Sequence, residues 1–392
     1  MRNAVLIGFI GVLTLVLFVS YGRCAEQTET VKIGVIFPMT GAASPTAQEI
    51  TRGMEMAVWQ WNEERDGIKV GGKKYKVKII YYDDQNKPEL GAQHTIRAIE
   101  VDKVVAIVGC MTSSVTLAQA QIIEKNRIPW LSLSIHPAIT ESGYRYAFNA
   151  HYTMRESERG VADDMVKQGI RSVGCLYVNT DYGKGKYGHL KQIYEGEYKA
   201  GVISTQSYSS GETDFYPMIT GIKRDNPEGV YLISYTPEFG AILKQMEELK
   251  FKPKSIWGTS LLVPINLVKI LGEKAYLVEG VRVIGLPDPK VKSSRQEDYI
   301  KAAKGRYPGE DWTRWPQTPL GYDAFWRLFL AMESEGSFAA DQVCKGLRTV
   351  DWEGIRTWGR FNEKGELPIF LHAHVLHKDA SMTNMGTMKI RP

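Results

Sequence analysis

The chain has 392 residues, of which 43% are hydrophobic and 24% charged, and its formal net charge is +5. This composition is that of an ordinary globular protein, and the length exceeds what one hydrophobic core usually supports, so we expect two lobes. The basic residues form no concentrated block. Nucleic acid is therefore not an expected partner.

The N-terminus is typical of an export signal. Arg2 precedes a nearly uncharged, mostly apolar run at 4–19, and small residues follow it. We assign residues 1–24 to a cleavable signal peptide and expect a periplasmic mature protein. A lipid anchor on Cys24 is the less favoured alternative, because Arg23 does not suit the small, apolar residues expected before a lipidated cysteine. No later segment approaches the roughly 18–20 apolar residues of a membrane helix.

The first half of the chain alternates predicted strands and helices. The strands are short β-branched runs or alternate apolar with polar residues, and the helices carry an apolar face at helical spacing. The predicted strands span 31–37, 75–84, 104–109 and 128–134, and the predicted helices span 49–64, 89–101 and 115–125. Such alternation predicts parallel sheets covered by helices on both faces, an α/β fold.

The same pattern begins again after a crossing segment at 144–153. The predicted strands here span 172–179, 202–208, 229–235 and 255–260, and the predicted helices span 155–169, 184–200, 215–225 and 238–249. We expect the chain to return to the first lobe at 278–285 and then to form an aromatic, helical segment at 311–333. The last section, 360–378, predicts a hairpin with Gly365 at its turn.

Two turns near the middle of the chain predict the floor of a ligand site. The residues of these turns are Met111, Thr112 and Ser113 after the first strand and Leu133, Ser134, Ile135 and His136 at the end of the second. In open α/β sheets, ligands bind outside the carboxyl ends of the strands. Hydroxyl groups at the start of a helix can hold an anion together with free backbone N–H groups. The alternative is that Ser113 and its neighbour merely cap the helix.

Two tyrosines extend this site into the second lobe. Tyr182 lies just past one predicted strand of that lobe and Tyr235 closes another. Each can be a plain packing residue, but two tyrosines at equivalent strand ends favour a shared pocket. An apolar cleft with a few fixed polar groups is typical of small-molecule sites.

No motif in the sequence requires catalysis, a cofactor or a metal ion. The G-x-G-x-x-G pattern at 183–188 lacks the later acidic residue that binds a ribose. For Cys110 and His136 we favour a buried thiol and a loop histidine over a reactive pair. The histidines within 372–377 do not all share one face of a strand. We therefore predict that the protein is not an enzyme.

Several motifs, in this order and spacing, resemble those of the periplasmic leucine/isoleucine/valine-binding proteins of ABC importers. They are VKIGVIFPMTG, YYDDQNKPELG, IVGCMTSSVT, IPWLSLSIHPAIT, DYGKG, VYLISYTPEFGAILKQM, LGYDA and FNEKGEL, and they cover nearly the whole mature chain. The resemblance implies two Rossmann-like lobes with parallel sheets, joined by three hinge strands in a type I clamshell. It also implies delivery of a small solute to membrane permease and ATPase subunits.

The resemblance also implies where the lobes begin and end. The implied boundaries are 30–148 plus 284–358 for lobe one and 149–283 plus 359–392 for lobe two. We expect cleft closure around hinges near 148–152, 280–285 and 358–361. We expect a monomer.

Four residues match ligand-contacting positions of the resembled family. Ser113 matches the position that holds the carboxylate of an amino acid, and Leu133 matches one whose carbonyl faces the ammonium group. Tyr182 and Tyr235 match tyrosines of lobe two that touch the ligand.

Four other positions of the site depart from the family pattern. Ile135 stands where the family has a Thr that bonds the headgroup, and Ser260 stands where it has a Glu that neutralises the ammonium. Thr46 and Gln317 stand where it has a Tyr and a Phe. A buried ammonium without a counter-charge costs on the order of a few kcal/mol.

We therefore predict the solute receptor of an ABC importer, which captures a small amino acid-like, carboxylate or amide solute by cleft closure. We expect a preference for solutes that lack an ammonium group. Aromatic or branched carboxylates and neutral amides fit this expectation. Glu238 and Asp181 are the nearest acidic residues that can replace the missing counter-charge, but each more simply caps a helix. The alternative function is a ligand-sensing receptor for a signalling partner, which requires a fused signalling segment that we do not see before Pro392.

Overall fold

The computed structural model describes residues 29–288 and 293–390, so the predicted signal peptide lies outside the described residues. The strands form two sheets, and we call each sheet with its covering helices a lobe. The strands of lobe one are β1 (Glu29–Phe37), β2 (Ile68–Val70), β3 (Lys73–Asp83), β4 (Ala106–Gly109), β5 (Trp130–Ser132) and β6 (Ala147–Asn149). The strands of lobe two are β7 (Ser172–Val178), β8 (Gly201–Tyr208), β9 (Gly229–Ile233), β10 (Ser255–Gly258), β11 (Arg282–Ile284), β12 (Ile369–Leu376) and β13 (Met382–Ile390).

Helices cover both faces of each sheet. They are α1 (Ser44–Trp59), α2 (Pro88–Glu100), α3 (Ser113–Asn126), α4 (Ala138–Glu141), α5 (Met154–Lys167), α6 (Asp181–Gly196), α7 (Tyr216–Asp225), α8 (Thr236–Glu248), α9 (Pro264–Leu271), α10 (Gln296–Arg306), α11 (Thr318–Glu335) and α12 (Ala340–Thr349). Among the helices that the structure describes, none combines the length and the apolar character needed to cross a bilayer.

The sheet of lobe one has the order β2-β3-β1-β4-β5-β6, parallel throughout except that β2 runs antiparallel to β3. In β1, Ile33 packs into one core cluster and Ile36 into another, as expected of a strand covered on both faces. The parallel strands end at one edge of the sheet, where the turns at 110–113 and 133–136 begin.

The sheet of lobe two has the order β13-β12-β11-β10-β9-β7-β8. Strands β8, β7, β9, β10 and β11 are parallel, and β12 and β13 add an antiparallel edge. The carboxyl ends of β7, β9 and β10 lead into 179–182, 234–236 and 259–261. These segments carry the residues that lobe two presents to lobe one.

Helices α1 and α11 approach each other closely, and two glycines permit this. A Cβ atom at Gly53 would lie 1.9 Å from the Thr318 carbonyl oxygen, and one at Gly321 would lie 2.0 Å from the Ile50 carbonyl oxygen. Any side chain at either position would therefore separate the helices. The close contact holds the start of α11, with Gln317 just before it, beside the middle of α1.

The chain passes three times between the two sheets: from β6 to α5, from β11 to α10, and from α12 to β12. These passages give a mixed α/β architecture of two lobes, which confirms the predicted fold class. The boundaries expected between the lobes and the hinge positions stay predictions.

One predicted element is wrong. Gly365 does sit in a tight turn, where its N–H donates to the Asn362 carbonyl at 3.0 Å, but this turn joins no pair of strands. The C-terminal hairpin is formed instead by β12 and β13, with its turn at 377–381. The Asn-Glu-Lys-Gly run is a stronger turn signal than 377–381, and β13 lacks regular alternation, so the sequence pattern predicts the hairpin too early in the chain.

Candidate functional site

Ser113 begins α3 with a buried hydroxyl that makes no hydrogen bond within the described residues. The residue is only 1% exposed. Thr112 precedes the helix and does not cap it, because its hydroxyl lies 3.3 Å from the Cys110 thiol. Since the first turn of a helix also leaves backbone N–H groups free, this corner can hold a carboxylate or another acceptor.

Cys110 is not paired with His136. Its thiol donates to Asp84 Oδ2 at 3.1 Å, whereas His136 Nδ1 accepts from the Ala138 N–H at 3.2 Å. Burial raises the pKa of Asp84 to about 6 and raises the pKa of the Cys110 thiol well above its usual value. A buried, protonated thiol is a poor nucleophile.

The second turn continues the floor of the site. Leu133, Ser134 and Ile135 are all buried, and the Ser134 hydroxyl accepts the N–H of the residue two positions on at 3.2 Å. Leu133 packs with Met111 in the core of lobe one, but Ile135 packs into the core of lobe two. The Ile135 carbonyl also accepts the Met154 N–H at 2.8 Å. Ile135 therefore joins the lobes and offers no polar side-chain group to a ligand.

Tyr182 and Tyr235 form an aromatic wall on lobe two. Their ring centroids are 5.8 Å apart with planes inclined by 20°. The Tyr235 hydroxyl accepts from Asn86 Nδ2 of lobe one at 3.3 Å, but the Tyr182 hydroxyl is buried and has no partner in the described chain. A wall of this kind suits a flat or branched apolar group and leaves one hydroxyl for a ligand.

Thr46 and Gln317 connect the lobes. Thr46 Oγ1 donates to the Leu261 carbonyl at 2.6 Å, and Gln317 Nε2 donates to the Ser260 carbonyl. Both pairs join lobe one to the segment after β10. The cleft is therefore closed, and these two positions supply polar contacts across it.

Ser260 stands where the resembled family has a Glu, and Asp181 and Glu238 are the nearby acidic residues expected from the sequence. Ser260 is buried and 3% exposed. Asp181 is exposed in the first turn of α6. Glu238 is 4% exposed, neither of its carboxylate oxygens has a hydrogen-bond partner in the described residues, and burial raises its pKa. It lines a cavity of about 300 Å³ between the lobes with the loop at 41–42.

Sequence reasoning missed several buried groups around the cleft. Tyr152 is 1% exposed, and burial raises its pKa to about 12. Under the Tyr182 ring, Lys186 and Glu158 form an ion pair at 1% and 0% side-chain exposure. Arg356 is also buried, with 1% exposure. Tyr152 lay within a predicted hinge, but the patterns around the other three gave no signal.

Two of the three C-terminal histidines, His372 and His377, have hydrogen-bond partners of their own. His372 Nδ1 lies 2.8 Å from Thr387 Oγ1, and His377 Nδ1 lies 2.8 Å from Glu279 Oε1. Within 29–288 and 293–390, no group of three or more His, Cys, Asp or Glu residues is arranged to hold a metal ion.

Two α/β lobes, joined by three passages of chain around a buried cleft with a few fixed polar groups, define a two-lobed receptor for small solutes. Comparison with known families agrees with this class. The sequence profile of the periplasmic binding protein family matches residues 30–370. The chain belongs to this family.

Individual relatives indicate which type of periplasmic binding protein the chain resembles. The Leu/Ile/Val-binding protein of Escherichia coli is 25% identical over 356 residues, which cover 87% of this chain and 89% of the relative. A leucine-binding protein of Thermotoga maritima superposes with a TM-score of 0.80 at 25% identity, covering 92% of this chain and 99% of that one. An ABC-transporter solute-binding protein of R. palustris in complex with benzoate has a TM-score of 0.79 at 16% identity, covering 93% and 98%.

These comparisons confirm the resemblance to the leucine/isoleucine/valine-binding type. The relatives are periplasmic solute receptors and not enzymes, which also agrees with the prediction of no catalysis. The roles expected of individual site residues stay predictions.

Proposed function

We propose that this protein captures a small carboxylate or neutral amide in the periplasm and delivers it to the permease and ATPase subunits of an ABC importer. The observation that carries the proposal is Ser113, whose hydroxyl is buried without a partner at the start of α3. A carboxylate oxygen accepts from such a hydroxyl and from first-turn N–H groups at once. The aromatic wall of Tyr182 and Tyr235 suits the apolar part of the solute.

The choice against an α-amino acid rests on this chain's own residues. Proteins of the same fold carry names or bound molecules as different as leucine and benzoate, so the fold does not select the solute. Ile135 and Ser260 offer no charge to an ammonium group. A buried ammonium would lose its hydration without a counter-charge, which disfavours it by on the order of a few kcal/mol.

A thermal-shift titration tests this choice. One set of probes is leucine, isoleucine and valine; the other is benzoate, isobutyrate and benzamide. A probe at 100 times its dissociation constant should add about 2.7 kcal/mol to the stability of the folded protein. We expect stabilisation by a member of the second set and none by the first. Stabilisation by leucine alone would contradict the proposed solute class.

Lobe closure is tested separately. A solute that bridges Ser113 and the two tyrosines should favour the closed arrangement over an open one. Small-angle scattering should then show a smaller radius of gyration at saturating solute. An unchanged radius with a solute that binds would contradict capture by closure.

The second candidate is an amino-acid receptor in which Glu238 neutralises the ammonium. The observation that favours it is the Glu238 carboxylate, buried without a partner beside a cavity of about 300 Å³. In that case leucine should stabilise the protein, and Glu238→Gln should abolish the effect. Binding of leucine that survives Glu238→Gln would eliminate this candidate.

A further inference from the structure

Two buried arginines of this chain differ in how their guanidinium groups are satisfied. Arg327 is 2% exposed and donates to Thr357 Oγ1 at 3.0 Å and to the carbonyls of Gly359 and Trp352 at 2.8 Å each. Arg356 is 1% exposed, yet its Nε and Nη1 have no partner in the described chain. Its Nη2 donates to the Gly285 carbonyl at 3.4 Å, and the Tyr152 hydroxyl is a further polar neighbour of the guanidinium.

No carboxylate within the described ranges forms an ion pair with Arg356. The carboxylate that acts on its charge is Asp323, whose oxygens accept the backbone N–H groups of Ile355, Arg356 and Thr357 at 2.9, 2.8 and 3.0 Å. The Thr357 hydroxyl adds a fourth bond to Asp323 at 3.0 Å. The carboxylate is thus committed to backbone, and the Arg356 side chain remains without an anion.

The rings of His151 and Tyr152 beside Arg356 are neutral. His151 Nδ1 is buried without a hydrogen-bond partner in the part of the chain that the structure describes. Burial, followed by Arg356 and Lys186, lowers the pKa of His151 well below its usual range, which keeps the imidazole neutral. A buried cation without a counter-charge is unfavourable unless an anion joins it.

Arg356 lies at the hinge end of the cleft. Its guanidinium carbon sits 5.1 Å from the centre of the Tyr152 ring, and the Tyr152 hydroxyl donates to the same Gly285 carbonyl at 3.3 Å. Tyr152 belongs to the first passage between lobes, Gly285 to the second and Arg356 to the third. The Ser260 hydroxyl and Arg356 both act on the pKa of Tyr152, so these groups are close neighbours.

We propose that Arg356 binds an anionic oxygen of the solute, so that the preferred solute carries a second carboxylate besides the one assigned to Ser113. This inference rests on the proposed function. The Arg356 cation then lies near Ser260, whereas the resembled amino-acid receptors have an anionic Glu at the position of Ser260. A dicarboxylate would satisfy Ser113 at one end and the Arg356 donors at the hinge end.

Matched probes test the inference by affinity ratio. Terephthalate and 4-carbamoylbenzoate share one carboxylate and differ only in whether the second group is charged, and glutarate and butyrate form an aliphatic pair. Calorimetry should show that at least one dicarboxylate binds 10-fold or more tightly than its monoanionic partner. In Arg356→Gln this ratio should fall to about 1, and Arg356→Lys should keep part of it.

Arg327→Gln serves as the matched control. It removes a buried guanidinium in which each of the three nitrogens donates a hydrogen bond, so it should lower the unfolding midpoint. The protein that remains folded should keep the wild-type affinity ratio. Arg356→Gln should leave the midpoint unchanged or raise it.

Each outcome has a distinct meaning. Equal affinity for both members of each pair in the wild-type protein overturns the second-carboxylate inference, whether or not any variant folds. An affinity ratio that stays the same in Arg356→Gln also overturns it. So does an equal loss of affinity for all probes in that variant, because Arg356 would then act only in the hinge and not on the second carboxylate. If every carboxylate probe fails to bind and benzamide fails as well, the proposed solute class fails and the inference with it.

Discussion

Two sets of buried polar groups in this molecule differ in where their partners come from. In the internal network, which we define as Asp323, Arg327 and Thr357, each side chain is hydrogen-bonded to other groups of the chain. The cleft set, which we define as Ser113, Tyr182 and Arg356, is equally buried but leaves polar atoms without partners in the described chain. Unmade hydrogen bonds are expensive in a protein interior. We infer that the internal network stabilises the folded state and that the cleft set binds the ligand.

The largest effect should follow from breaking the internal network. Asp323→Ala removes the acceptor of four hydrogen bonds and leaves Arg327 without its nearby charge. Breaking a buried, hydrogen-bonded charge cluster costs about 3–5 kcal/mol. Urea unfolding should show this loss. Glu353→Ala, at an exposed position of the same loop, should stay within about 0.5 kcal/mol of wild type, and an equal loss in both variants would refute the network's role.

Glu49 is the intermediate case between the two sets. Its Oε2 accepts the Gln317 N–H at 3.1 Å, its Oε1 has no partner in the described residues, and burial raises its pKa from 4.5 to about 8. Below pH 4.5 the carboxyl is protonated in both folded and unfolded chains. As pH rises toward 8, the unfolded chain ionises first, so the unfolding free energy falls.

Glu49→Gln should remove this pH dependence. The ideal shift corresponds to about 5 kcal/mol, and relaxation of a real interior lowers it, so we expect roughly 2–3 kcal/mol. The unfolding free energy of wild type, measured in urea, should be lower at pH 8.5 than at pH 5. This decrease should exceed the decrease in Glu49→Gln by roughly 2–3 kcal/mol. Glu363→Gln, at an exposed position, should keep the wild-type pH profile. Parallel profiles for wild type and Glu49→Gln would show that Glu49 ionises normally.

Ser113→Ala tests the cleft set directly. The hydroxyl has no partner within the described chain, so stability should change little, but the affinity for a carboxylate solute should fall by about 1–3 kcal/mol. Calorimetry with the probe found by thermal shift measures this. Ser114→Ala changes the next, half-buried position and should keep wild-type affinity. Loss of stability without loss of affinity would assign Ser113 to the internal kind of group.

Much of this fold was predictable because its signals are local. The runs at 31–37 and 104–109 are apolar and β-branched, as strands covered on both faces must be, and they are observed as β1 and β4. The predicted start of α3 was two residues late, since Ser113 forms the first turn instead of preceding it. Short-range patterns do not resolve such end effects.

The candidate site was less predictable because its decisive features join distant parts of the chain. Thr46 and Leu261 are 215 positions apart, and Tyr152 and Gly285 are 133 apart. Arg356 shows the limit most clearly. No sequence pattern distinguishes Arg327 from Arg356. Only the tertiary structure shows which guanidinium has hydrogen-bond partners at each nitrogen.

The smallest expected effect comes from removing a single oxygen atom of the cleft set, the Tyr182 hydroxyl. Tyr182→Phe removes a buried hydroxyl without a hydrogen-bond partner in the described chain, so the ligand-free protein should keep its stability or gain about a few tenths of a kcal/mol. If the hydroxyl binds the solute, affinity should fall by about 0.5–1.5 kcal/mol. Tyr187→Phe is the control, since that ring stacks on Tyr177 at 5.0 Å and its hydroxyl already accepts from Thr205. It should leave affinity unchanged and reduce stability slightly. Calorimetry measures the affinity of each variant, and urea unfolding measures its stability. A loss of stability in Tyr182→Phe with unchanged affinity would show that Tyr182 stabilises the fold and does not bind the solute.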